Sequence, residues 1–98
     1  MKQNSLCRQS VTVTLENGLH LVPCSQIAQV ARSCACEVQI LKDDQTVDAK
    51  NVLVLMTLNA QFGTTLILEA SGEGALEALE RLLRLFESDF EADDVSEV

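Results

Sequence analysis

The sequence predicts one α+β domain in which a four-stranded antiparallel sheet carries three helices on one face. The chain has 98 residues, a length at which one aliphatic core stabilises a domain without disulfides or metal. Stretches in which apolar residues alternate, typical of half-buried strands, are interspersed with stretches that repeat apolar residues every three or four positions, typical of helices. Their order is strand, helix, strand, strand, short helix, strand, helix, which favours helices packed against one sheet.

The first strand and the first helix are separated by a turn. Residues 11–15 alternate apolar and polar side chains, and residues 16–18 break that pattern. Apolar residues then recur at helical spacing from Pro23 to Cys34. Pro23 suits a first helical turn, because an N–H at that position would have no partner within the helix. We therefore expect a strand over 11–15 and a helix over 23–34.

The middle of the chain contains a predicted hairpin and an ambiguous apolar segment. Residues 36–41 alternate again, and a polar turn at 42–45 precedes a short return strand at 46–49. Residues 50–57 fit either a central strand or a short helix. We favour the helix, because Asn59 can end it in the left-handed conformation.

The last part of the chain predicts a strand over 64–70 and a leucine-rich amphipathic helix over 75–86. Residues 91–98 are acidic and aperiodic, so we expect a domain over 1–90 and a disordered tail over 91–98. The sheet face away from the helices should meet water, with Ile67 as its apolar exception. The residues assigned to that face are Thr12, Thr14, Glu37, Gln39, Thr65 and Glu69.

Composition excludes several classes of function. The net charge of −8 and the three aromatic residues disfavour nucleic acid and anionic membranes as partners, which leaves another protein. No apolar run reaches membrane-spanning length and no export signal is present, so we expect a cytoplasmic chain with reduced thiols. Cys34-Ala35-Cys36 lacks the two-residue spacer of redox and zinc motifs, and we expect no metal and no cofactor.

His20, the only histidine, precedes the predicted first helix and is the main candidate for chemistry. A phosphoryl group on its ring would meet the unpaired amide groups and the positive dipole end of that helix. The neutral imidazole is the nucleophilic form, so His20 is suited to accept and release phosphate. The alternative is that His20 only caps the helix or faces solvent. No nucleophile, base and orienting acid form a recognisable hydrolytic triad.

Several short motifs together resemble the bacterial phosphocarrier HPr, over most of the chain. In the second half of the sequence, these motifs align with the family pattern without a gap between them. The matching residues are Asn17-Gly18-Leu19-His20, Pro23, Ala49-Lys50, Thr57-Leu58, Gly63-Thr64 and Ser71-Gly72.

This resemblance implies an open-faced β-sandwich and a carrier rather than an enzyme. His20 would receive phosphate from an enzyme I-like protein, charged by phosphoenolpyruvate, and pass it to enzyme IIA-like proteins. Leu21 and Val22 would form the phosphate-stabilising start of the helix, and we expect a monomer. The residues that the resemblance assigns to partner docking are Leu21, Cys24, Ile27, Ala28, Val52, Leu53 and Met56.

The chain departs from the family pattern at four of its positions. Val22 replaces an arginine that neutralises phosphate, and Asn51 replaces a regulatory serine, which removes regulation by phosphorylation there. Gln29 and Val54 replace common lysines, so the docking face is less basic. Two rival hypotheses follow: an HPr-like binding module that regulates a partner without phosphotransfer, and an unrelated α/β sandwich that dimerises through its open sheet or binds a small ligand.

Overall fold

The computed structural model describes residues 6–91. Its elements follow the predicted order, strand, helix, strand, strand, helix, strand, helix. Their bounds are β1 (Leu6–Thr12), α1 (Leu21–Arg32), β2 (Glu37–Lys42), β3 (Gln45–Asp48), α2 (Val52–Met56), β4 (Thr65–Ser71) and α3 (Ala75–Glu87).

The four strands form one antiparallel sheet with the spatial order β1-β4-β2-β3. Ile40 pairs with Leu68 on one side and with Val47 on the other, and all three side chains are buried beneath the helices. Helix α3 packs on β1, β4 and β2, while α1 packs on α3 and α2. The predicted open-faced sandwich, with its helices on one side of the sheet, is therefore confirmed.

The opposite sheet face is largely polar, as the alternation predicts. The side chains of Thr12, Thr14, Glu37, Gln39 and Thr65 are exposed. Glu69 is half-buried rather than exposed, because the Arg8 guanidinium lies across its carboxylate. Arg8 Nε donates a hydrogen bond to that carboxylate at 2.9 Å. Ile67 is half-buried, but it is not the one apolar exception: its pairing partner Leu41 shares this face, as does Leu6, which is 64% exposed.

Two predicted boundaries were wrong. Strand β1 occupies residues 6–12 rather than 11–15. It is an edge strand that pairs residue by residue with β4, and its polar sequence shows no alternation of apolar and polar residues that would have predicted it. Helix α1 begins two residues earlier than predicted and ends at Arg32, which leaves Cys34 in the following bend. Pro23 is the third helical residue and still lies in the first turn.

The ambiguous apolar segment is the short helix α2, and the hairpin of β2 and β3 is present, so both predictions are confirmed. Asn59 follows α2 with a φ of 50°, the predicted left-handed conformation. Within residues 6–91, no helix is long and apolar enough to span a bilayer. The predicted disordered tail lies outside the described residues from 92 onwards.

Candidate functional site

His20 occupies the N-cap position of α1 in an extended conformation, with φ −90° and ψ −162°. Its carbonyl accepts the first helical hydrogen bond, from Cys24 N–H at 3.1 Å. The imidazole makes no capping hydrogen bond and is exposed. The ring therefore faces solvent and does not cap the helix, so the capping form of the alternative is wrong, whereas its solvent-facing form agrees with the structure as well as an accessible phosphate acceptor does.

Two backbone donors beside this imidazole have no acceptor among the described residues. They are the N–H groups of Leu21 and Val22, because Pro23 has no N–H and Cys24 N–H is already bonded to His20. The first turn of α1 also contains no acidic side chain to compensate the helix dipole. The start of α1 thus offers an oxyanion two N–H donors and a positive end.

Gly18 fixes the approach of the chain to this helix. It has a φ of 71°, accepts a hydrogen bond from His20 N–H at 3.1 Å and donates one to the Leu15 carbonyl at 2.9 Å. A Cβ at Gly18 would lie 2.5 Å from the Ala60 carbonyl oxygen. Leu19 is buried and donates to that same oxygen at 2.9 Å. His20 is therefore held by a turn that only glycine permits without strain.

Helix α2 runs beside α1 in the opposite direction. The Arg32 guanidinium, at the end of α1, donates to the Lys50 carbonyl at 2.8 Å just before α2 begins. At the other end, Leu19 bonds Ala60 shortly after α2 finishes. The end of α2 and the loop after it therefore lie at the His20 end of α1.

Three of the predicted docking residues are on the molecular surface. Leu21 is 54% exposed, Leu53 is 74% exposed and Met56 is 39% exposed. Val52 is half-buried and packs against the core. Leu21, at the start of α1, and Met56, at the end of α2, lie at the end that carries His20, whereas Leu53 is the second residue of α2.

The other three predicted docking residues, Cys24, Ile27 and Ala28, cannot contact a partner because each is at most 1% exposed. Their spacing places them on the helix face that packs into the core. The Cys24 thiol donates to the Leu19 carbonyl at 3.5 Å, and burial raises its pKa to about 11. The docking prediction was wrong for these residues because an apolar stripe at helical spacing is a core signal.

Phe62 is a surface residue that the sequence analysis missed. It is 65% exposed and lies two residues after Ala60, in the loop that contacts Gly18 and Leu19. The available signal was an aromatic residue between polar or small neighbours in a predicted loop. We define the His20 surface as His20, Leu21, Val22, Leu53, Met56 and Phe62.

The segments that build the His20 surface contain no Asp, Glu, Lys or Arg. None occurs from residue 17 to 31, nor from residue 51 to 68. Val22, in the position of the family's arginine, is 60% exposed. Arg32 bonds Lys50 at the far end of α1, so it does not replace that arginine. Every residue of the His20 surface other than the histidine itself is therefore apolar.

Asn51 has a structural role at the position of the family's regulatory serine. It is the N-cap of α2, and its Oδ1 accepts a hydrogen bond from Val54 N–H at 3.1 Å. The amide therefore retains the cap that the short helix needs, without a hydroxyl to phosphorylate.

Comparisons with known proteins match this architecture. The family model of the PTS HPr component phosphorylation site matches residues 7–88. The chain is 32% identical over 79 residues to phosphocarrier protein HPr of Vibrio cholerae, covering 81% of this chain and 93% of that protein. It is 38% identical over 77 residues to the HPr-like protein Crh of Bacillus subtilis, covering 79% and 91% of the two chains.

A solved structure gives the same result in three dimensions. HPr from Thermoanaerobacter tengcongensis superposes with a TM-score of 0.83 at 27% identity, covering 94% of this chain and 99% of that one. An unrelated α/β sandwich is therefore excluded. By its sequence, its strand order and its matched length, the chain belongs to the HPr family of bacterial phosphotransferase-system phosphocarriers, which are not enzymes.

Proposed function

We propose that this protein is a working phosphocarrier that accepts a phosphoryl group on His20 and releases it to an acceptor protein. The observation that carries the proposal is the exposed His20 imidazole at the start of α1, beside the Leu21 and Val22 amides. It rests also on membership of a phosphocarrier family.

The transfer chemistry follows from these groups. A neutral ring nitrogen of His20 attacks the phosphorus of a phosphorylated donor, a P–N bond forms, and the bond from phosphorus to the donor breaks. The phosphoryl oxygens then lie near the Leu21 and Val22 amides and the positive end of the α1 dipole. A second nucleophile reverses the process, because the phosphoramidate is exposed on the surface.

We propose that the donor is an enzyme I-like protein, itself phosphorylated by phosphoenolpyruvate, and that the acceptors are enzyme IIA-like proteins in the cytoplasm. The carrier would act as a monomer through the His20 surface. Because that surface contains no Asp, Glu, Lys or Arg, the partners should present apolar, uncharged patches rather than acidic ones. Complex formation would then depend little on salt.

Val22 and Asn51 favour a second candidate, an HPr-like regulatory module that docks a partner without phosphotransfer. Val22 offers no guanidinium to an incoming phosphoryl group, and Asn51 removes the regulatory hydroxyl. This candidate uses the same surface, so a binding measurement alone does not separate it from the carrier.

Phosphate labelling separates the two candidates. The protein is incubated with phosphoenolpyruvate and enzyme I from the same organism, and acid-labile phosphate is measured on the wild type and on His20→Ala. The carrier predicts one acid-labile phosphate on the wild type and none on the variant. Absence of label on wild-type protein that still binds enzyme I would reject the carrier and support the regulatory module.

A folding control is available because His20 is exposed and makes no side-chain hydrogen bond to the described residues. The free energy of unfolding of His20→Ala should lie within about 0.5 kcal/mol of the wild-type value. Loss of label in a variant of unchanged stability would then reflect the missing nucleophile rather than a damaged fold.

A further inference from the structure

Two cysteines and an arginine converge where α1 ends and β2 begins, at the end of α1 opposite His20. Cys34 lies in the bend after α1 and is partly exposed, whereas Cys36 is only 2% exposed. Arg81 comes from α3. The cluster therefore depends on tertiary packing as well as on the C-x-C spacing.

The contacts in this cluster centre on the Cys34 sulfur. Arg81 Nη1 lies 3.9 Å from Cys34 Sγ and donates to Ser33 Oγ at 2.9 Å. The Cys34 thiol itself donates to the Val30 carbonyl at 3.3 Å. Burial and the neighbouring Cys34 side chain raise the pKa of the Cys36 thiol.

A small surface cavity gives access to this cluster. Its volume is about 310 Å³. The cavity can hold a small reagent such as a hydroperoxide, whereas Cys36 does not line it and borders a neighbouring cavity instead. The cavity is lined by Ser33, Cys34, Ala35, Glu73, Gly74, Glu77 and Arg81.

We propose that Cys34 and Cys36 form a peroxide-sensitive dithiol in which Cys34 is oxidised first and Cys36 then closes a disulfide. Arg81 positions an N–H donor on the sulfur that reacts, and the cavity admits the oxidant. Cys36, buried and adjacent, serves as the resolving thiol.

The oxidation balances with a hydroperoxide as the two-electron oxidant. The Cys34 sulfur attacks one peroxide oxygen, an S–O bond forms, the O–O bond breaks, and the second oxygen leaves as water or alcohol with the thiol proton. The Cys36 sulfur then attacks the Cys34 sulfur, an S–S bond forms, and the S–O bond breaks. The hydroxide leaves as water with the Cys36 proton.

The backbone permits this bond. A disulfide requires a Cα separation of about 4.4–6.8 Å. Two cysteines with a single residue between them reach that separation when the chain bends at the intervening residue. Residues 34–36 form such a bend. The closed ring is short and strained, so the bond should be readily reduced by a dithiol. The proposal is independent of phosphotransfer, because the site lies about 18 Å along α1 from His20.

The test treats the native protein with hydrogen peroxide, alkylates free thiols under denaturing conditions and measures the intact mass and the modified peptides. Cys7 is a matched internal control, because it is also partly exposed but its thiol makes no hydrogen bond to the described residues and has no arginine side chain beside it. We expect loss of two hydrogen masses, with Cys34 and Cys36 protected from alkylation while Cys7 and Cys24 remain alkylated. Dithiothreitol should restore both thiols.

Two variants distinguish the order of events. Cys36→Ser should stop at a sulfenic acid on Cys34, captured by dimedone, whereas Cys34→Ser should give no intramolecular disulfide. Arg81→Gln should slow the oxidation of Cys34 by about threefold to tenfold. Oxidation of Cys7 as fast as Cys34, or recovery of both Cys34 and Cys36 as alkylated thiols, would overturn the proposal.

Discussion

Substitution of Gly18 by alanine tests how the turn before α1 holds His20. An L-residue in the left-handed region costs about 1–2 kcal/mol, and Gly18 has a φ of 71°. The new Cβ would also lie 2.5 Å from the Ala60 carbonyl oxygen, so the hydrogen bond from Leu19 to that oxygen must lengthen or break. That bond contributes about 1 kcal/mol, and the total expected loss is therefore about 2–3 kcal/mol.

Gly63→Ala is the matched control for this prediction. Gly63 has a φ of 89°, but a Cβ there would have no atom within 4 Å. It should therefore show only the conformational cost, about 1–2 kcal/mol. Urea unfolding of both variants measures the difference, and thermal unfolding should show a shift of roughly 4–8 °C per kcal/mol. Equal losses for the two variants would refute the role assigned to the Ala60 contact.

Three further predictions concern the His20 surface and the core beneath it. Val22→Arg should accelerate phosphorylation of His20 by about tenfold. This corresponds to the lower end of the range for a charge-assisted hydrogen bond, because the site is exposed. An unchanged rate in stopped-flow labelling would contradict the prediction. Leu53→Ser should weaken enzyme I binding by about tenfold or more in calorimetry, whereas serine in place of Leu76 on α3, which is also exposed, should not; equal weakening by both would contradict the role of the His20 surface. Wild-type binding should change less than about twofold over a tenfold range of salt. The Cys24 thiol has a pKa of about 11 when folded and stays protonated after the unfolded thiol ionises, so its contribution to stability should fall by about 2 kcal/mol between pH 9 and 11. Cys24→Ala should reduce this slope by that amount and keep the smaller part that the raised pKa of Cys36 supplies; a slope unchanged in Cys24→Ala would contradict the prediction.

Much of the fold was predictable because periodicity reports burial directly. The leucine repeat of α3 and the alternation of β2 each matched an element. Strand β1 was misplaced because its ladder to β4 depends on pairing across the sheet, which local alternation does not encode. The ambiguous segment 50–57 was assigned correctly on two signals, the helical spacing of Val52, Leu55 and Met56 and the ending signal that Asn59 supplies.

The candidate site was predictable in part. His20 and its helix could be inferred from one histidine before a proline-containing turn. Docking residues on α1 could not, because an apolar stripe looks the same whether it faces a core or a partner, and Cys24, Ile27 and Ala28 face the core. The Cys34–Arg81 contact joins residues far apart in the sequence and needed the packing of α3 against α1.

The most direct test is the amide spectrum of the protein before and after phosphorylation by enzyme I and phosphoenolpyruvate. If the start of α1 binds the phosphoryl group on His20, the amide protons of Leu21 and Val22 should move downfield as they form hydrogen bonds to its oxygens. The amides at the start of α3, which lies apart from His20, should not move. Phosphorylated His20 with unmoved Leu21 and Val22 amides, or no phosphorylation at all, would contradict the account.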